Sequence, residues 1–219
     1  MWISPSFAPN DPEGTARALV ARHPLAALIV PDPVRIAHMP LLWRSVVGDA
    51  WAGGAPAAEE LVGHIPLADP IARGLLSGGE ATAVFAGPQS YVSPSWYDGP
   101  GLPTYNYAPV HVTGHTRRLS VPELREHLLD LITEHEAAQA AAGCPVWRPD
   151  PEAEARMDAL LPEIAGFAIA IERLEVKTKL GQNRSDADNR IVRAALAAGT
   201  ADRPEIAALM HDNRPPGDK

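Results

Sequence analysis

A chain of 219 residues, 46% hydrophobic and 21% charged, is long enough for one large domain or two small ones. Its net charge of -8 argues against a surface that tracks nucleic-acid phosphates or anionic membranes. The lone Cys144 rules out an intrachain disulfide, apolar runs such as residues 25–30 fall far short of a membrane span, and no charged-then-apolar leader opens the chain, so a cytoplasmic location is the expectation.

Asp11-Pro12-Glu13 reads as a helix start, with Asp as N-cap and Pro at the first helical position, and Pro24 closes that helix. Residues 25–30 are a short apolar run of strand length. Residues 34–43 form a second extended segment, joined to it through the turn Pro31-Asp32-Pro33 in a hairpin. A Gly/Ala-rich stretch from Val47 reads as a loose connection, and residues 61–65 return as a brief strand. Asp69-Pro70 caps a short helix that ends near Ser77-Gly78-Gly79, and residues 81–87 form a buried strand.

Six of the aromatic residues then fall within residues 85–107: Phe85, Tyr91, Trp96, Tyr97, Tyr105 and Tyr107, which include all four tyrosines of the chain. Interleaved with Pro88, Pro94, Pro100 and Pro103, they suggest a stiff loop that presents rings and hydroxyls as the wall of a pocket for a flat ligand. An aromatic mini-core under a long loop is the competing reading.

Residues 106–119 alternate enough for one long strand, and Ser120 with Glu123 forms a capping box for a helix reaching about Ala142. Asp150-Pro151-Glu152 starts a further helix. Residues 166–180 alternate, with Phe167, Ile169 and Ile171 on one face of a long strand. Ser185 with Asp188 caps a helix through Ala198, a final short helix follows Pro204, and residues 211–219 are a frayed tail. About six strands joined by short turns, with helices appended rather than alternating, predict a mainly β antiparallel barrel with peripheral helices, a single domain over residues 1–210.

The chemistry is narrowed by exclusion. The sequence has no G-x-G-x-x-G after a strand, no phosphate loop of the G-x-x-x-x-G-K-[ST] type and no G-x-S-x-G elbow. His111 and His115 make a poor metal pair, because four residues along a strand separate two side chains by roughly 13 Å. Lys177 and Lys179 lie on one face of a strand, and Gln182, Asn183 and Arg184 sit in the turn before a helix N-terminus. That group offers cations, amides and a helix dipole to an anion such as phosphate or propionate, although a solvated strand end followed by a helix cap reads the same way. His64 ends a short apolar strand after Gly63, where a neutral imidazole can bind iron; His38 and Cys144 are weaker candidates.

These residues carry a resemblance. His38-Met39-Pro40-Leu41, Gly63-His64, Phe85-Ala86-Gly87-Pro88 with Tyr91, Ser93-Pro94 and Trp96-Tyr97, Pro103-Thr104-Tyr105-Asn106-Tyr107 with Val110-His111-Val112 and Gly114, and Lys179-Leu180 with Gln182-Asn183-Arg184 resemble, in order, the PaiB family of FMN-binding transcriptional regulators. The resemblance implies a flavin-type split β-barrel of the pyridoxamine-phosphate-oxidase kind, a homodimer, and a cofactor pocket at the subunit interface. It implies FMN or haem b as cofactor, held by His64, Tyr91, Ser93, Trp96, Tyr105, Asn106, His111, Lys179, Gln182, Asn183 and Arg184, with His64 as the iron ligand if haem is bound.

Two functions follow as expectations. One is a PaiB-type negative regulator that senses redox state or a ligand; given the acidic chain, direct DNA binding is not expected. The other is a haem enzyme of the piperazate-synthase type, which closes a nitrogen–nitrogen bond in N5-hydroxyornithine. An FMN-dependent reductase is a third and plainer reading.

Overall fold

The structure is a computed structural model that describes residues 1–46, 59–200 and 203–212. The Gly/Ala-rich connection that begins at Val47 and the C-terminal residues 213–219 lie outside the described residues. The helices are α1 (Pro12–Arg22), α2 (Ala72–Leu75), α3 (Val121–Ala141), α4 (Pro151–Leu160), α5 (Asp186–Ala197) and α6 (Arg203–Asp212). The strands are β1 (Leu25–Pro31), β2 (Val34–Pro40), β3 (Leu42–Ser45), β4 (Glu59–Pro66), β5 (Glu80–Phe85), β6 (Gln89–Val92), β7 (Thr104–Tyr107), β8 (Val110–Arg118), β9 (Ile164–Ala170) and β10 (Arg173–Val176).

Eight strands hydrogen-bond in the order β2-β1-β5-β8-β9-β4-β3 with β10 on β8, and β6 and β7 form a second sheet. The mainly β architecture with peripheral helices agrees with the sequence reading. No helix among the described residues is long and apolar enough to cross a membrane. The chain divides into two compact units: Met1–Pro24, Val84–Val112 and Leu174–Lys219 make the first, Leu25–Ala83 and Thr113–Arg173 the second.

Local chemistry sets the helix starts. Asp11 Oδ1 accepts from Gly14 N at 3.0 Å, Asp150 Oδ1 from Ala153 N at 2.8 Å and Ser185 Oγ from Asp188 N at 3.1 Å. Ser120 and Glu123 close a full capping box at α3. Each cap contributes on the order of 1 kcal/mol by satisfying donors that the helix itself leaves open.

Strand boundaries depart from the sequence expectation in three places. The segment 34–43 is two strands: β2 pairs with β1 from Leu25↔Pro40 to Pro31↔Val34, whereas β3 pairs with β4 through Leu42↔Val62 and Trp43↔Leu61. The segment 106–119 breaks between β7 and β8 at Ala108-Pro109, where proline has no N–H to give a ladder. The segment 166–180 breaks after Ala170, where Ile171 N donates to Glu59 O at 3.1 Å.

Within the second unit, β9 is buried on both faces, Ala165–Ala170 without interruption. Phe167 and Ile169 fill one side. The small residues Gly166 and Ala168, which alternation alone would turn to solvent, let α3 approach the other: Ala168 and Val62 pack against Leu119 and Leu124, and a Cβ at Gly166 would collide with the Leu119 side chain. This strand therefore finds its cover within the chain.

In the first unit, Val92, Leu180, Val192, Leu196, Ile206 and Met210 form the core that α5 and α6 share with the β6–β7 hairpin. The aromatic stretch is only partly a loop: Tyr91, Tyr105 and Tyr107 lie on the strands of that hairpin, with Tyr91 paired with Tyr105 and Ser90 with Asn106, whereas Trp96 and Tyr97 lie in the connection between them. Gly87 turns the chain into β6 at φ 62°, and any side chain there would meet the Ala108 carbonyl.

Candidate functional site

Five of the expected cofactor residues line two different pockets, one in each unit: His64 in one, and Asn106, Lys179, Asn183 and Arg184 in the other. In the second unit, β4 pairs with β9 so that His64 stands opposite Gly166, two residues along the strand from Val62, which packs against Leu124 of α3. On α3, His127 lies one turn beyond Leu124, and the two imidazoles meet. His64 Nδ1 is 3.3 Å from His127 Nε2, with ring planes tilted by 58°. His127 is fully buried, and its Nδ1 has no hydrogen-bond partner. Burial lowers the pKa of both rings. That of His127 falls to about 3, with the neighbouring His64 and Arg44 adding to the effect. Both rings are neutral at pH 7.

His64 forms part of the wall of a pocket of about 680 Å³, and the remaining lining comes from α3, α4, the segment before α4 and the start of β9: Leu128, Ile132, Trp147, Met157, Leu160 and Ile164, with Arg156 and the carboxylates of Asp150, Glu152 and Glu163 as polar members. That volume is in the range of small-molecule and cofactor sites. Helix α4 buries no residue at all. Its Leu160 is 53% exposed and the nearby Trp147 50% exposed, an apolar surface left uncovered on the pocket side. The helix is tied to α3 by Arg125, whose Nε donates to Asp158 at 2.9 Å, and Trp147 N donates to Glu136 at 2.7 Å.

In the first unit, Thr104, Asn106, Lys179, Asn183 and Arg184 line a pocket of only about 50 Å³ beside the N-terminal turn of α5. The Lys179 ammonium donates to Thr104 Oγ1 and to Tyr105 O at 2.9 Å, while the Arg184 guanidinium stacks 4.5 Å from the Tyr97 ring centroid. Burial lowers the Lys179 pKa, and the Lys177 and Arg184 charges push it the same way. Asn106 is 1% exposed, and its Oδ1 lacks a partner. Asp188 also lines this pocket, its Oδ1 accepting from Asp98 N at 3.1 Å. The pocket has room for a phosphate or a carboxylate, not for a ring system.

The other expected residues go elsewhere. Tyr91 and Tyr105 form an edge-to-face pair, 5.8 Å between centroids, on the exposed side of the hairpin. Ser93 caps the short turn Pro94–Trp96. Trp96 packs against the core of the first unit, with the Arg203 guanidinium 5.2 Å from its ring centroid. Gln182 uses both ends of its amide on its own loop, accepting from Leu180 N and donating to Thr178 O. His111 is half-buried on β8, His38 is exposed on β2 and Cys144 is exposed. Among the described residues no group of three or more His, Cys, Asp or Glu could hold a bare metal ion.

Residues 1–173 match the family described as "Putative FMN-binding domain". The chain belongs to this family. It is similar to the Bacillus subtilis (strain 168) protein named Protease synthase and sporulation protein PAI 2, with 29% identity over 154 residues, 69% of this chain and 72% of that protein, so the PaiB resemblance read from the motifs holds. In fold it is similar to the FAD and haem binding protein from Mycobacterium smegmatis, with a TM-score of 0.51, 18% identity and coverage of 86% of this chain and 79% of that one. It is also similar to a conserved hypothetical protein from Mycobacterium tuberculosis, with a TM-score of 0.53, 13% identity and coverage of 82% and 91%. At these identities the likeness concerns the fold, the split β-barrel with peripheral helices.

His127 and the α4 lining residues are the parts of the site that sequence reasoning missed. A signal existed: His127 occupies the apolar stripe of α3 between Leu124 and Leu128, a position where a polar residue needs a reason.

Proposed function

We propose that the chain is a haem-binding member of its family, with His64 as axial ligand in the pocket of the second unit, and that it serves as a redox- or ligand-responsive regulator. The observation that carries this reading is a neutral imidazole in the wall of a pocket of about 680 Å³ whose other walls are largely apolar. Haem needs that combination: a flat apolar body, one basic nitrogen for the iron, and polar groups at an edge for its propionates. Leu128, Ile132, Met157 and Leu160 would hold the macrocycle, and Arg156 is the cation on the same lining. The bound iron supplies electron transfer and a coordination position for a small ligand. The chain supplies the imidazole and excludes water with apolar side chains.

Adding haem b to the purified chain is expected to give a Soret band with one-to-one stoichiometry. A flavin spectrum as isolated, with no Soret band after haem addition, overturns the reading. If the haem-loaded chain cyclised N5-hydroxyornithine, the role would move from regulator to enzyme of the piperazate-synthase type, with Arg156 as the candidate carboxylate partner.

A second reading has its own observation. The phosphate of FMN suits the small pocket lined by Lys179, Asn183 and Arg184 at the head of α5. Lys179→Ala and Arg184→Ala are then expected to weaken FMN binding by about tenfold or more, since a hydrogen bond to a charged group contributes about 1.5–3 kcal/mol, and to leave riboflavin binding unchanged. Equal losses for FMN and riboflavin in a fluorescence titration would remove the phosphate from that pocket. In either reading the proposed assembly is a homodimer. The exposed Tyr91, Tyr105 and Leu102 supply apolar surface for it.

A further inference from the structure

We infer that His127 is a positioning residue for His64, fixing which nitrogen that ring presents to the iron; the inference rests on the haem reading above. The contact is specific. His64 Nδ1 lies 3.3 Å from His127 Nε2, and His127 is wholly buried on α3 and takes no part in the pocket wall. The nitrogen that His64 turns away from this contact is Nε2. For Nε2 to bind iron it must carry a lone pair, so the ring proton must sit on Nδ1, and a proton there needs an acceptor. His127 Nε2 is that acceptor. With the hydrogen bond reversed, His64 would offer an N–H to the pocket and could not coordinate.

A packing role alone does not account for histidine at this place. A phenylalanine would fill a buried position without placing a polar ring in the core, whereas His127 leaves its own Nδ1 without a partner, at a cost of about 1–3 kcal/mol. The position also has a second support. Glu126 and Asp130, its neighbours on α3, are drawn to Arg44 of β3, with Arg44 Nη2 2.7 Å from Asp130 Oδ2. These two carboxylates are thus engaged by a cation, and the group that faces His64 is an imidazole. An imidazole acceptor pulls less strongly on the Nδ1 proton than a carboxylate would, and leaves His64 the character of a neutral ligand.

The test compares haem-loaded wild type with His127→Phe, which fills the volume without an acceptor, and His127→Gln, which restores one. His127→Phe is expected to lower the ferrous iron–histidine stretching frequency in resonance Raman spectra. It is also expected to hand haem to apomyoglobin roughly 10–100-fold faster, the range usual for loss of an outer partner of a metal ligand. His127→Gln is expected to recover most of both. Wild-type values in His127→Phe overturn the inference while leaving the haem reading in place. A wild-type chain that takes up no haem removes the haem reading, and the inference with it. Should neither variant fold, the wild type decides: the hyperfine-shifted ring N–H of the ligated histidine is expected to exchange slowly with solvent, and fast exchange rejects the buried hydrogen bond.

Discussion

His64→Ala is expected to abolish the axially ligated haem spectrum and leave the fold in place. The side chain projects from β4, whose ladder with β9 runs through backbone groups that the substitution does not touch. Its removal enlarges a pocket that already exists rather than opening a void in a closed core. His38→Ala, His111→Ala and Cys144→Ser are expected to keep the wild-type spectrum. His38 and Cys144 are exposed, and His111 belongs to neither pocket wall. A loaded His64→Ala protein with an unchanged Soret band would sink the ligand assignment. One secondary effect is expected: His127 loses the partner of its Nε2, so the variant should be less stable by about 1–3 kcal/mol even without haem.

The protein without a bound ligand is expected to lose stability on mild acidification, and the histidine pair is the cause. Burial holds His127 down to about 3 and lowers His64 as well, whereas both take up protons near 6.5 once unfolded. Between those values the unfolded chain binds more protons than the folded one. The stability that the pair contributes is therefore full above about pH 6.5 and is lost as pH falls below it, at up to about 1.4 kcal/mol per pH unit for each ring. Glu123, held below its ordinary value by Ser120 and Arg117, loses its contribution only in the carboxylate range further down. Urea midpoints at pH 7.5 and pH 5.0 should differ clearly in the wild type and much less in His127→Phe. Equal midpoints in the wild type would mean that the pair is not buried in solution.

The parts of the fold that were legible in the sequence are those whose causes are local. Asp11, Ser120, Asp150 and Ser185 cap helices in the structure as they read in the chain, because a cap involves residues only three apart. Strand limits were less legible. The break at Ala108-Pro109 and the two-sided burial of β9 depend on what packs above each residue, and a small side chain that admits a helix looks in sequence like one that faces water.

The site divides in the same way. The turn before α5 was readable, since Lys179, Asn183 and Arg184 are close in sequence and remain together in space. His64 lines a separate pocket in the other unit. Trp96 packs against the core of its unit, and Gln182 engages both ends of its amide within its own loop, uses that residue type alone does not reveal. His127 escaped notice because its role exists only where α3 crosses β4.

Helix α4 lines much of the pocket beside His64 yet buries no residue of its own. Substitutions at Met157, Leu160 or Trp147 therefore have little folding free energy to lose, and natural variation can explore them at small risk to the barrel. His64, held on the sheet and braced from below, has no such freedom. A scaffold arranged in this way can keep its reactive centre constant while the choice of what is admitted beside it drifts from one descendant to the next.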